Sequence, residues 1–191
     1  MKKYIGLVLV AMSGCILTVN AQQSFSYKNP LLPTELRVND LLGRMTLEEK
    51  IAQIRHLHSW DVFDGQILNQ EKLDKMCGGI GYGFFEGFPL TAASCRKTFR
   101  EIQTYMVEKT RLGIPGFPVA ESLHGVVHEG TTIYPQNIAM GSTFNPELAY
   151  EKTKHIAGEL NTMGVKQVLA PCIDVVRDLR WGRVEESFGE D

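Results

Sequence analysis

Apolar residues recur with two different periods along the chain, and the change of period marks its elements. From Thr34, the positions Leu36, Leu41 and Leu42 form one apolar side with helical spacing, interrupted at Gly43. Thr46-Leu47-Glu48-Glu49 has the form of a capping box: Thr46 can accept the amide of the third helical residue while Glu49 reaches back. The helix that follows is expected to run through Ile51 and Ile54, which would set His56 and His58 on different sides of it, so that they make no ligand pair. A short helix is expected from Gln70 to Met76, ended by Gly78-Gly79. Ile80-Gly81-Tyr82-Gly83-Phe84-Phe85 reads as a strand with close backbone approaches. Thr91 to Arg111 reads as a long helix with Phe99, Ile102, Met106 and Val107 on its apolar side, closed by Gly113.

Ile114 to Ala120 is a second strand or strand entry, whose prolines fit best at its start. Asn145-Pro146 starts another helix, with Asn capping and Pro in the first turn; it continues to about Met163 and stops at Gly164. Val165 to Val175 is then a mostly apolar strand through Val168, Leu169, Ala170 and Ile173. Strands separated by full-length helices predict a parallel α/β fold. Three strands do not tell an open sheet from a barrel. Only Arg177 to Asp191 follow the third, so no helix covers it, and the chain is expected to be a truncated part of a larger fold.

The first residues are a different material. Lys2 and Lys3 precede a mostly apolar run from Ile5 to Val19, and Val19-Asn20-Ala21 ends in a small residue before Gln22. This predicts a secretory signal over residues 1–21 and hence export, to the periplasm or beyond. The run is short of the roughly 20 residues of a membrane span, so no transmembrane helix is expected. An alternative is lipid attachment at Cys15, because Ser13-Gly14-Cys15 resembles a lipoprotein processing site. Residues 22–33, with Asn29, Pro30 and Pro33, form an extended lead-in.

Composition narrows the function classes. With 20 Lys and Arg against 22 Asp and Glu, the net charge is -2, and no basic or acidic run favours nucleic acid or an anionic membrane surface. If Cys15 leaves with the signal, Cys77, Cys95 and Cys172 remain, an odd set that makes no disulfide framework and matches no metal knuckle. His124 and His128 stand four apart, but Gly125 rather than Glu follows the first, so the metal-helix pattern is absent. The glycine-rich stretch from Gly78 to Gly83 lacks dinucleotide spacing, and neither a phosphate loop nor a Gly-x-Ser-x-Gly element occurs. Nothing visible requires a metal or cofactor.

In parallel α/β folds the loops leaving the C-terminal ends of strands carry the site. Two segments qualify: Glu121-Ser122-Leu123-His124-Gly125 after the second strand, and Asp174 to Asp191 after the third. Glu121 suits a general acid or base, a hydroxyl-binding carboxylate or a plain surface residue. Arg177-Asp178-Leu179-Arg180-Trp181-Gly182-Arg183 combines forked donors with a flat aromatic face, which suits a sugar and equally suits an internal ion-pair network bracing a loop.

Several stretches in order resemble glycoside hydrolase family 3, the β-glucosidase and β-xylosidase family, from about residue 30 onward. They are Arg44 to Gln53, Arg111-Leu112-Gly113-Ile114-Pro115, Glu121 to Gly125, Tyr134-Pro135-Gln136-Asn137 and Gly141 to Leu148. Most specific are Ala170-Pro171-Cys172-Ile173-Asp174-Val175, Arg177 to Arg183 and Glu186-Ser187-Phe188-Gly189-Glu190-Asp191. The resemblance implies that residues 34–191 are the N-terminal portion of a TIM-like (β/α)8 barrel, incomplete in this chain. The missing barrel half and a following α/β sandwich domain are expected in the intact protein. It implies a retaining glycosidase acting on β-linked oligosaccharides or glycosides, with nucleophile and acid/base beyond Asp191, so no catalytic residue is assigned here. Glu121 matches the carboxylate that holds non-reducing-end sugar hydroxyls, and Arg183 the arginine that donates to the same sugar. His124, Asp174, Asp178 and Arg180 match framework around them. The resemblance implies Asp at 121 in many β-glucosidase-like members and often Glu in xylosidase-like ones, so Glu121 leans toward a pentose while leaving glucose and xylose both open; Leu179 and Val184-Glu185 depart from the usual pattern. A hexosaminidase of the same family and a non-catalytic carbohydrate-binding module are the other readings.

Overall fold

The computed structural model describes residues 26–87 and 91–190; the expected signal segment, Cys15 and the first four residues of the lead-in, 22–25, lie outside the described residues. The chain divides into two compact units, one ending at Arg44 and one beginning at Met45.

In the first unit, helix α1 (Thr34–Arg44) follows a short 3-10 turn at Ser26–Lys28. Asp40 joins them: its carboxylate accepts the Tyr27 amide at 3.0 Å and the Arg44 Nε at 2.9 Å. Arg37 Nε donates to the Tyr27 carbonyl at 2.8 Å, and Tyr27 is buried.

The second unit opens with α2 (Leu47–Ala52), where the Thr46 capping box is complete. The helix stops at Ala52, short of the expected Ile54, and the next residues form strand β1 (His56–His58). There follow a one-turn helix α3 (Ser59–Val62) and a two-residue hairpin of β2 (Phe63–Asp64) and β3 (Ile67–Leu68). Helix α4 (Gln70–Cys77) ends at Gly78 in the left-handed region, as the glycine pair predicts. Strand β4 (Phe84–Glu86) begins only after the glycines, because Gly83 lies against α2: a Cβ there would stand 1.8 Å from the Gln53 carbonyl oxygen.

Helix α5 (Ala92–Lys109) is capped by Thr91. It buries Cys95, Phe99, Ile102, Tyr105 and Met106, while Val107 is exposed, so the apolar stripe passes beside that position. Strand β5 (Phe117–Glu121) contains Pro118 in its interior, in register with Phe85. The Pro118 carbonyl accepts the Lys166 amide at 2.9 Å. In a parallel ladder its missing N–H would therefore face residues preceding β6, where no strand runs. After α6 (Asn137–Gly141), helix α7 (Pro146–Met163) starts at the Asn145 cap and ends at Gly164, as expected. The last strand, β6 (Gln167–Leu169), is much shorter than the expected Val165 to Val175. It ends at a cis Ala170–Pro171 peptide. Ile173 and Val175 lie beyond it and are exposed.

Four strands pair in parallel in the order β1-β4-β5-β6. This order runs in one direction with no reversal, unlike a doubly wound sheet, which reverses at its switch point. Phe85 packs on Phe99 of α5 with ring centroids 5.6 Å apart, and α5 packs beside α7, so the helices share one face. Strand alternation turns Phe84 and Glu86 to the opposite face. There His56 stacks on Phe84 (5.0 Å) and Phe84 on Phe117 (5.8 Å). The apolar core lies between sheet and helices: Leu57, Phe85, Phe99, Ile102, Met106, Ile156, Leu160 and Met163 are among its members.

Candidate functional site

Glu121 is the last residue of β5, paired in register with Leu169, and its side chain is exposed at the C-terminal end of the sheet. The loop after it is fixed by backbone fit. His124 Nδ1 lies 3.1 Å from the Tyr134 carbonyl and the Tyr134 amide donates to the His124 carbonyl at 2.8 Å. Gly125 sits at φ +114°, where a Cβ would stand 2.3 Å from the Thr132 carbonyl oxygen. Thr132 in turn bonds Glu159 of α7 through its hydroxyl at 2.7 Å. A cavity of about 190 Å³ opens beside Glu121; Glu86, Val126 and His128 line it with apolar residues of α5 and α7. Burial pushes the His128 imidazole below its ordinary pKa.

The second expected segment, Asp174 to Glu190, is irregular and held by side chains. Asp178 accepts both the Arg180 amide and Nε at 2.9 Å, and the Arg180 guanidinium holds its carboxyl below the usual range. Both residues are exposed, so the pair braces its own turn. Asp174 accepts the Cys172 thiol at 3.1 Å and thereby raises the thiol's pKa. Arg183 donates Nε to both carboxylate oxygens of Glu186 at 2.8 Å and its Nη2 to one of them. That hydrogen bonding pushes the guanidinium pKa up and the Glu186 carboxyl down. The Glu121 carboxylate adds, less strongly, to the same upward push on Arg183. The structure thus pairs Arg183 with Glu186, while Asp178 and Arg180 satisfy one another and His124 serves its loop.

Three features escaped the sequence reading. His56 and His58 lie on a strand, so they share a face rather than diverging. Glu86 of β4 stands between them, 2.5 Å from His56 Nδ1 and 4.0 Å from His58 Nδ1. The polar–apolar–polar order around the fully buried Leu57 was the available signal. The third is Lys152, buried on the apolar stripe of α7 that continues through Ile156, Leu160 and Met163; a lysine at helical spacing among apolar residues marks it. Its Nζ donates to Asn137 Oδ1 at 2.6 Å, and Asn137 Nδ2 donates to the Glu186 carbonyl at 2.9 Å. Among the described residues no group of three or more His, Cys, Asp or Glu side chains could hold a metal ion.

Parallel strands in unbroken order, backed by helices on one face and carrying Glu121 at their C-terminal end, define part of the wall of a TIM-like barrel. Residues 46–191 match the glycosyl hydrolase family 3 N-terminal domain, almost the whole of the second unit. The chain belongs to that family, whose members are glycosyl hydrolases. A protein of Formosa agariphila whose name assigns it provisionally to the β-xylosidases is 34% identical over 174 residues, covering 88% of this chain. A periplasmic β-glucosidase of Salmonella typhimurium is 30% identical over 191 residues, covering 99% of it. The chain spans 23% of the length of each of these relatives. Among solved structures, a β-glucosidase from Erythrobacter marinus superposes with a TM-score of 0.74 at 30% identity, over 89% of this chain and 22% of its own.

Proposed function

We propose that residues 34–191 form the part of an exported retaining β-glycosidase barrel that grips the terminal sugar, with Glu121 accepting its hydroxyls and Arg183 donating to them. The observation that carries this reading is the place of Glu121 at the C-terminal end of β5, where a barrel keeps its site, with the loop bearing Arg183 leaving the same end of the neighbouring parallel strand β6. A carboxylate and a guanidinium together offer acceptors and donors to adjacent hydroxyls of one ring. His124, Asp174, Asp178 and Arg180 are the framework that holds these two in place.

The intact enzyme releases terminal non-reducing β-D-glucosyl residues from oligosaccharides or glycosides. Its two reacting carboxyls, required about 5 to 5.5 Å apart by a retaining mechanism, lie beyond Asp191 together with the rest of the barrel and an α/β sandwich domain. Residues 22–191 alone are therefore inactive. A second reading, an exo-acting β-xylosidase, is favoured by Glu rather than Asp at position 121 and by the Formosa agariphila relative. Export rests on the signal pattern of residues 1–21, with lipid attachment at Cys15 as its alternative, and the Salmonella typhimurium relative is a periplasmic protein.

The test is release of 4-nitrophenol from its β-glucoside and β-xyloside by protein expressed from the full open reading frame, beside residues 22–191. Activity confined to the long form is the expected result, and the better substrate identifies the glycone. No hydrolysis by a folded long form would leave a carbohydrate-binding module as the better account.

A further inference from the structure

The buried lysine of α7 has no evident reason to be there. Lys152 is 6% exposed and stands in line with Ile156, Leu160 and Met163, where leucine or methionine would pack without desolvating an ammonium group. Its Nζ makes one hydrogen bond among the described residues, to Asn137 Oδ1 at 2.6 Å. Burial lowers its pKa, as expected of a cation held without a carboxylate partner.

Asn137 explains the expense. It opens α6, is 1% exposed, and touches the loop of the candidate site through its other amide atom, Nδ2, which donates to the Glu186 carbonyl at 2.9 Å. A side-chain amide has one accepting and one donating end, and a lysine ammonium can only donate. Lys152 therefore dictates which way the amide faces: Oδ1 toward Nζ, Nδ2 toward the loop. Without that donor, the flipped amide would set oxygen against the Glu186 carbonyl and repel it. The same short helix meets the loop a second time, since Gly141 lies so close that a Cβ would stand 1.9 Å from the Phe188 carbonyl oxygen. The residue gripped is the one whose carboxylate receives Nε and Nη2 of Arg183.

We infer that Lys152 and Asn137 are positioning residues for Arg183: the amine orients the amide, the amide anchors the backbone of Glu186, and Glu186 aims the guanidinium at the sugar. The inference rests on the proposed role of Arg183 in sugar binding. Neither residue touches the substrate. A plain core strut would use the same contacts, so the test must read the link to Arg183 itself.

The protein from the full open reading frame is assayed on the better 4-nitrophenyl glycoside as Lys152→Met and Asn137→Asp, each in the parent and in the Arg183→Lys background. Asn137→Asp keeps an acceptor for Lys152 and loses the donor to Glu186, so it tests the same link if Lys152→Met fails to fold. Each is expected to raise KM about tenfold, the size of one buried hydrogen bond, with kcat within about threefold. In the Arg183→Lys background, where the aimed fork is gone, neither is expected to change kcat/KM further. Equal losses in both backgrounds, or an unchanged KM in a folded variant, would overturn the inference. If the parent hydrolyses neither glycoside, the sugar-binding reading falls and this inference with it; an active parent whose variants are unchanged sinks this inference alone.

Discussion

Glu49 provides the sharpest test of how the second unit is assembled. Its carboxylate is the returning half of the capping box, accepting the Thr46 amide at 2.8 Å, and it also takes Arg111 Nε at 2.7 Å and Nη2 from 62 residues away. Glu49 is 4% exposed, whereas the Arg111 side chain is 53% exposed. Glu49→Ala removes the cap contact, worth about 1 kcal/mol, and two charge-assisted bonds. Each of those is worth about 1.5 to 3 kcal/mol when buried, but water can replace them at an exposed guanidinium, so about 1 kcal/mol for the pair is the better figure. The sum is a loss of about 2 kcal/mol, read in urea unfolding as a midpoint about 1 M lower with unchanged slope. Glu49→Gln keeps one acceptor oxygen and should lose about half as much. Hydrogen bonding from Arg111 holds the Glu49 carboxyl below its ordinary pKa. A depressed folded-state value means that this stability is present above the unfolded pKa near 4.3 and fades as pH falls through the folded one. The gap between wild type and Glu49→Gln should therefore close in acid. A Glu49→Ala protein within about 0.5 kcal/mol of wild type at pH 7, the scatter of ordinary surface substitutions, would refute the account.

Two further outcomes follow from the loop and the thiols. Gly125→Ala combines a positive φ with a clash on the Thr132 carbonyl, so it should displace the loop after Glu121 and cost about 2 kcal/mol or more by thermal unfolding; a midpoint equal to wild type would show that the loop yields freely. Burial raises the Cys77 thiol to about 12 and the Cys95 thiol to about 11. Both should resist alkylation at pH 8 until urea unfolds the chain, and rapid labelling of either in the native protein would contradict their burial.

Helix ends were the most legible part of this sequence, because a cap is a local interaction. Thr46 with Glu49, Gly78, Asn145 with Pro146, and Gly164 all sit where their chemistry predicts, whereas α5 ends at Lys109, before the expected Arg111 and Gly113. Strands were read less well, since their length is set by neighbours. β1 spans three residues and hides behind a helix pattern prolonged by Ile51 and Ile54. β2 and β3 form a hairpin too short to show any alternation. β6 was read too long because an apolar run through Val175 carries no sign that pairing with β5 ends at Leu169. Glu121 could be placed from its position after a strand, but the contacts of Asn137 with Lys152 and Glu186 exist only once α6, α7 and the final loop are folded together.

The two candidate sugar contacts are held by different physics, and this predicts where each is vulnerable. Glu121 ends a strand paired through backbone hydrogen bonds, with Val119 buried two residues before it, so its position survives most side-chain changes nearby. Arg183 stands on a segment with no strand and one 3-10 turn, Val184–Glu186, and its aim depends on side chains: Glu186 on the guanidinium, Asn137 on Glu186, Lys152 on Asn137. A backbone ladder spreads strain over many bonds, whereas a chain of single side-chain contacts fails at any link. Substitutions in α6 and α7, remote from the sugar, should therefore disturb the arginine side of the site while leaving the carboxylate side in place.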